Sequence, residues 1–217
     1  MLNRHLYLAV AALVCISGTT GCAKESVKIE TEELKVPAFE SVRLRGGFSV
    51  DISVGAEQKV TVTGAADELN KVSHEHELGR RLLLEAPRGV GEDATMQVSI
   101  VVPKLKAVYL GGELSASIRK LEQKATLLDV SGTSEVKVSG TMDFFQVDCT
   151  GLSEIDASML SAKRVEATTS GNCKMDVRVS DLLTADLSGK SEVGYFGSPS
   201  SVKKTGDDGG TVVHRGP

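Results

Sequence analysis

Five glycines at a near-constant interval constrain this chain more than any other feature. Gly112, Gly132, Gly151, Gly171 and Gly189 follow one another at gaps of 20, 19, 20 and 18 residues. Two positions before the last four stand Val130, Cys149, Thr169 and Leu187, and four before stand Leu128, Val147, Ala167 and Ala185. Four positions after them come Val136, Ile155, Met175 and Val193. A repeat of about 20 residues with internal period-2 alternation is the pattern of a solenoid built from turns of sheet. The expected fold is therefore all-β, a parallel β-helix-like solenoid with coils of about 20 residues.

Alternate side chains of a strand point to opposite faces. Even offsets from each glycine are mostly apolar and form the expected interior. Odd offsets give Asp129, Asp148, Thr168 and Asp186 in one outer column, and Glu135, Glu154, Lys174 and Glu192 in another. Glycine at each corner supplies a backbone conformation that other residues adopt only with strain. No helical period separates the strands, which argues against a doubly wound α/β fold, whose parallel connections need long crossovers.

Residues 36–200 are read as this solenoid domain. Its first half is less regular: Phe39–Leu44 alternates, Gly46-Gly47 marks a corner, and Phe48, Val50, Ile52 and Val54 alternate again. Val60 and Val62, then Val72, His74 and His76, then Leu82 and Leu84, then Met96 to Val102 are further strands, with one possible helical turn at Asp67–Asn70. This half is expected to be the irregular entrance to the solenoid, with a separate sandwich over 36–103 as the alternative. Residues 201–217 read as an edge strand guarded by Lys203 and Lys204, followed by a loose tail that includes His214.

Residues 1–21 have the form of a targeting segment: Arg4, an apolar run from Leu6 to Ile16 too short to span a bilayer, then small residues. The Thr20-Gly21-Cys22 sequence resembles the lipobox of bacterial lipoproteins, departing from it at Thr19, where leucine is usual. The resemblance implies cleavage before Cys22, acylation of that cysteine and attachment to membrane lipid through it. Ala23 in place of aspartate resembles an outer-membrane sorting signal, which leaves the domain facing the periplasm or the cell surface. Residues 22–35 would then be a tether and first strand.

Arg4 is the only Asp, Glu, Lys or Arg of the leader, so 24 basic and 29 acidic residues remain beyond it, a net charge of −5. That balance gives no footprint for nucleic acid. With no tryptophan, five phenylalanines and three tyrosines, stacking platforms for bases or sugars are scarce. Cys149 and Cys173 are the cysteines left in the folded part, in a compartment that permits disulfides. They fall in different columns of neighbouring coils, so two buried thiols are the preferred reading and a bridge the alternative.

The run Leu128-Asp-Val-Ser-Gly-Thr-Ser-Glu-Val-Lys-Val138 is echoed by Gly151-Leu-Ser-Glu-Ile155 and Gly189-Lys-Ser-Glu-Val193. With Val42-Arg-Leu-Arg-Gly-Gly-Phe-Ser-Val50, it resembles the GIN domain of bacterial envelope proteins, also called the putative auto-transporter adhesin head domain. The resemblance spans about residues 36–200. It implies a right-handed β-helix-like solenoid on a lipoprotein or secreted chain, with adhesion as the associated role and no catalytic or binding residues to carry over. Asn172-Cys-Lys-Met175 departs from the repeated Ser-Glu-Val type.

Candidate sites are few. Asp129, Asp148 and Asp186 would stack along the long axis, an arrangement a hard cation such as calcium could neutralise, but a solvated face explains them more simply. His74 and His76 share one strand face and could hold a transition metal given a third ligand; Glu75 and Glu77 point the other way. Ser134, Ser153 and Ser191 are read as corner residues whose hydroxyls satisfy turn amides. No Gly-x-Ser-x-Gly elbow or phosphate-binding glycine loop is present, and no cofactor is called for. Three function classes follow. The preferred one is a non-catalytic envelope module that binds a glycan or another envelope protein. The others are a polysaccharide-processing β-helix enzyme, for which an Asp176–Arg178 pair is the nearest candidate, and a periplasmic structural or assembly protein.

Overall fold

A computed structural model describes residues 27–77, 80–87, 89–90, 96–207 and 209–217. The leader and Cys22 lie outside the described residues. Among the described residues the chain forms strands β1 (Ile29–Glu33), β2 (Ser41–Val54) and β3 (Lys59–Ala65), one short helix α1 (Ala66–Leu69), and β4 (Ser73–Glu77), β5 (Arg81–Glu85) and β6 (Gln97–Val102). The long β7 (Ala107–Gly151), β8 (Glu154–Gly171) and β9 (Lys174–Gly189) follow, then β10 (Glu192–Phe196), β11 (Ser201–Gly206) and β12 (Thr211–Gly216). All twelve strands belong to one sheet, with the main order β1-β3-β6-β2-β7-β8-β9-β10-β12.

The glycine interval is the register of this sheet. β8 lies parallel to β7, with Val136 opposite Ile155, Val147 opposite Ala167 and Gly151 opposite Gly171. β9 lies parallel to β8 in the same way, with Ile155 opposite Met175 and Gly171 opposite Gly189. The even-offset residues are buried: Val130, Val136, Val147, Ile155, Ala167, Met175, Ala185 and Val193 pack into one continuous core. Each rung buries little alone, so neighbouring rungs stabilise one another.

Glycine is required at the corners because the rungs approach too closely for a side chain. Gly132 has φ +99°, and a Cβ there would lie 2.5 Å from the carbonyl oxygen of Gly112. At a second corner Gly140 has φ +143°, and a Cβ would fall 2.2 Å from the Leu121 oxygen. The rungs are unequal where Ser158 to Leu160 widen one of them, since Ala157 is followed by Ser161 in the pairing with β9. Asp156 holds this excursion, accepting from the Ser158 amide at 3.0 Å and its hydroxyl at 2.6 Å.

The amino-terminal part is joined to the same sheet. β2 pairs in parallel with β7 across the corner, Ser41 to Arg45 opposite Ala107 to Gly111 and Gly46 opposite Gly112. It therefore behaves as the first rung. Below it the sheet departs from the purely parallel expectation and becomes mixed. β5 and β6 continue parallel to the two halves of β2, but β3 runs antiparallel to β6, β1 antiparallel to β3 and β4 antiparallel to β5. Of these antiparallel pairs, β4 and β5 follow one another directly in the chain, whereas β1 and β3 are separated by β2, and β3 and β6 by α1, β4 and β5.

The carboxyl-terminal segment is sheet rather than a loose end. β11 pairs in parallel with β9, Val202 opposite Leu183, and β12 pairs in parallel with β10, Val193 opposite Val212. Together β11 and β12 cover both β9 and β10 and so add a further turn of sheet, with Val212 packed against the core. Asp207 fastens the turn between the last two strands by accepting from the Gly189 and Gly209 amides, each at 3.0 Å. Those backbone bonds hold its carboxyl below the usual range.

Candidate binding surface

The outer sheet faces carry the features that chemistry can use. On one side, the −3 column brings Asp148, Thr168 and Asp186 into register. Burial pushes the Asp129 carboxyl above its usual value; the neighbouring Asp148 adds to this and Arg43 partly offsets it. At the amino-terminal end of the same face, Tyr109 lies opposite Arg43. The guanidinium carbons of Arg43 and Arg81 stand 5.2 and 4.6 Å from its ring centroid. Glu77 accepts from Arg81 at 3.3 Å and lies 3.8 Å from Arg43. The sequence placed the aspartates, but nothing in the ladder pointed to this Arg–Tyr–Arg group, whose members come from β2, β5 and β7.

The other outer face is an ionic ladder. Lys137 pairs with Glu135 and Lys174 with Glu154, each at 2.9 Å. Arg215 of β12 reaches Asp176 at 3.2 Å and also contacts Glu192. All are exposed pairs, whose individual contribution to stability is small. The Asp176–Arg178 arrangement expected of an enzyme does not form. Arg178 instead donates to the Ser158 carbonyl at 2.9 Å and to Pro217 at 3.3 Å, and lies 5.3 Å from the Phe196 ring centroid.

His74 and His76 sit exposed on β4, opposite Leu84 and Leu82. His76 Nε2 is 3.3 Å from the Ala38 carbonyl. Among the described residues no group of three His, Cys, Asp or Glu side chains has the arrangement of a metal site. His214, placed by sequence in a loose tail, stacks on Tyr195 with ring centroids 4.8 Å apart.

The corner serines point inward and link rungs rather than satisfying their own turns alone. The Ser134 hydroxyl donates to Gly112 O and that of Ser153 to Gly132 O, both at 3.2 Å. Ser153 Oγ also accepts from the Ser134 amide. Cys173 occupies the same column and forms a disulfide with Cys149, the Cα atoms 6.2 Å apart. The column difference that favoured two separate thiols is removed by the corner. Gly171 turns the chain so that its +2 side chain and the −2 side chain of the preceding corner both enter the core.

Several depressions open on the surface of the described residues, two of them broad. A cleft of about 1180 Å³ lies beside the Gly46-Gly47 and Gly111-Gly112 corners, with Phe48 and Val90 among its apolar residues and Arg45, Lys71, Glu85 and Glu113 among its charged ones. Arg45 and Glu85 are paired within it at 3.2 Å. A shallower groove of about 970 Å³ crosses the rungs beside Lys124, Asp143, Lys163 and Arg178, with Lys163 held to Asp143 at 2.7 Å. These walls offer hydrogen bonds and charge to a ligand.

An all-β domain with one continuous sheet and broad, charge-bearing outer faces is the class these features define. Residues 38–199 match the family described as putative auto-transporter adhesin, head GIN domain. The chain belongs to that family. Among solved structures it is similar to a putative adhesin from Bacteroides fragilis, with a TM-score of 0.68, 19% identity and coverage of 87% of this chain and 98% of that one. It also matches a putative lipid binding protein from Parabacteroides distasonis with a TM-score of 0.44 and 17% identity, covering 86% of this chain and 96% of that one. No curated protein matches the chain.

Proposed function

We propose that the mature chain is a lipid-anchored, non-catalytic binding module of the bacterial cell envelope. Cys22 is its acylated residue, the outer membrane its location, and a glycan or another envelope protein its ligand. In this reading the parallel rungs coil as a right-handed β-solenoid, giving a rigid rod whose flat sides do the binding. The observation that carries it is the family match over residues 38–199. Support comes from the surface chemistry: the charged groups of the outer faces are paired with one another across rungs, as in the Lys174–Glu154 and Arg215–Asp176 contacts.

Protease shaving of intact cells, combined with membrane fractionation, tests the anchor and the location together. Digestion from outside, with the chain in the outer-membrane fraction, is the result expected of a surface adhesin. Protection until the outer layer is opened sinks adhesion to other cells and leaves binding to an envelope partner. Replacing Cys22 with serine should release the chain from membranes; retention would refute the lipid anchor. Turnover of a polysaccharide by the purified chain would overturn the non-catalytic reading and return attention to the groove beside Lys163 and Arg178.

A further inference from the structure

Among the described residues the sheet has two open edges, and the strands that form them carry charges of opposite sign, although Asp207 in the turn between β11 and β12 lies close enough to Lys204 to feel its charge. Among the described residues β1 pairs only with β3 and β4 only with β5 at one end, and β12 only with β10 and β11 only with β9 at the other. The strands β1 and β4, with sequences IETEE and SHEHE, hold five glutamates and no lysine or arginine. The strands β11 and β12, SVKKTG and TVVHRG, hold two lysines and one arginine and no acid. Several of these charges are spent inside the chain: Glu33 pairs with Lys59, Glu77 with Arg81, and Arg215 with Asp176. Among the described residues Glu32, Glu75 and Lys203 have no ionic partner.

Charged edges are a common device against aggregation. Guards of a single sign would repel every approach of two copies. Opposite signs at opposite ends repel only head-to-head and tail-to-tail approaches, and attract head-to-tail ones. The register points the same way. Thr31 lies opposite Thr63, Thr63 opposite Gln97, Gln97 opposite Ser49 and Ser49 opposite Ser115. One ladder interval beyond, Glu135 lies opposite Glu154, then Lys174, Glu192 and Thr211. Thr31 and Thr211 are thus the two ends of one outer column, and displacement of a copy along that column brings one onto the other.

We infer that this chain binds a second copy of itself head to tail, β12 of one copy adding to the free edge of β1 of the next. The strand pair is parallel, because β1 is two antiparallel steps from β6 and so runs in the direction of the rungs. Backbone hydrogen bonds supply the contact. The lysines of β11 face the glutamates of β4 beside it and set the polarity. The interface is heterologous and does not close on itself, so each added copy exposes the same edge again and short linear arrays result. This goes beyond the binding role proposed above and does not depend on which ligand the sides bind.

The test is cross-linking of the full chain in the envelopes of cells that express it. A chain carrying both Thr31→Cys and Thr211→Cys is treated with a short bis-maleimide. The expected product is a series of dimers and higher multiples, absent from the parent and from either single variant. Strong cross-linking of a single variant to itself would mean a head-to-head or tail-to-tail contact and overturn the inference, as would monomer alone from the double variant. Polarity is tested in that background with two exposed, unpaired residues. Lys203→Glu or Glu75→Lys alone should cut the yield by up to about fivefold, the range of an exposed ion pair. The two together should restore it. Failure of restoration with unchanged melting curves would refute the charge-set polarity.

Discussion

The rungs from β7 to β9 and the cap formed by β1 and β3 to β6 are parts of one sheet, yet they are specified in different ways. In the rungs each residue meets its counterpart from the neighbouring repeat: glycine on glycine, Asp148 on Thr168, Ala167 on Ala185. One local choice is reused, and so is its constraint. In the cap the partners are unlike, Ile29 on Ala65 and His76 on Leu82, and single side chains do the joining. Gln58 illustrates this, accepting from the Phe39 amide and donating to the Val36 and Pro37 carbonyls, each at 3.1 Å. Repetition makes the rungs legible and intolerant at their corners; the cap is harder to read and more forgiving.

Corner substitutions break that comparison most sharply. Gly140→Ala adds a Cβ 2.2 Å from the Leu121 oxygen at a φ of +143°, where backbone belonging to a neighbouring rung cannot yield. The expected loss is about 3–5 kcal/mol, from left-handed strain and overpacking together. Gly89→Ala, at φ +83° with nothing within 4 Å of the new Cβ, should cost only about 1 kcal/mol. Urea denaturation of the two variants decides the matter; equal losses would mean that close approach of rungs does not set the glycine interval.

Removal of the Cys149–Cys173 bridge comes next. It closes a segment of 24 residues between adjacent rungs, which restricts the unfolded chain by about 3 kcal/mol. Cys173→Ser should lose that amount under oxidising conditions and nothing relative to the parent under reducing ones. Serine fits the site because Ser134, Ser153 and Ser191 fill the same buried column. A smaller effect separates the two regions again. Ser153→Ala removes the acceptor of the buried Ser134 amide and the donor to Gly132 O, at about 1–2 kcal/mol. Thr31→Val, which removes the exposed 2.8 Å contact with Thr63, should cost a few tenths of a kcal/mol at most.

The glycine column, the parity of the core and the outer aspartates were legible because each is written several times in the chain. Gly112 to Gly189 alone give the register that pairs β8 with β9. The amino-terminal corner was legible from the Gly46-Gly47 pair between two alternating runs, but its register with Gly112 was not. What could not be read rests on pairings that occur once. Nothing in IETEE says that Ile29 meets Ala65 in antiparallel order, and nothing near Val212 says that it completes a rung over Val193. The partners of Arg178 were misjudged because its own column holds Asp176 two residues away, whereas Arg215 arrives from β12 to take that carboxylate. The cysteines were misjudged by a column rule that holds along straight strands and fails at a corner.

The smallest expected effect tests whether the outer aspartates are equivalent, as their regular spacing suggests. They are not. Asp129 is raised, chiefly by burial and next by Asp148, above the ordinary value of 3.8. Its folded form therefore holds a proton more tightly than the unfolded chain, and stability present below 3.8 is lost as pH rises through the raised value. Asp156 is lowered, first by the Ser158 hydroxyl. Its contribution is present above 3.8 and is lost as pH falls through the lowered value. Asp129→Asn should therefore stabilise the protein at pH 7, and Asp156→Asn should destabilise it. Both groups are partly exposed, so solvent screening keeps the two shifts small. Thermal midpoints measured from pH 7 into acid should show the variants on opposite sides of the parent. The Asp129→Asn difference should close as pH falls to the ordinary aspartate value, and the Asp156→Asn difference only below it. Shifts of the same sign at pH 7 would show that the two outer faces present equivalent carboxylates after all.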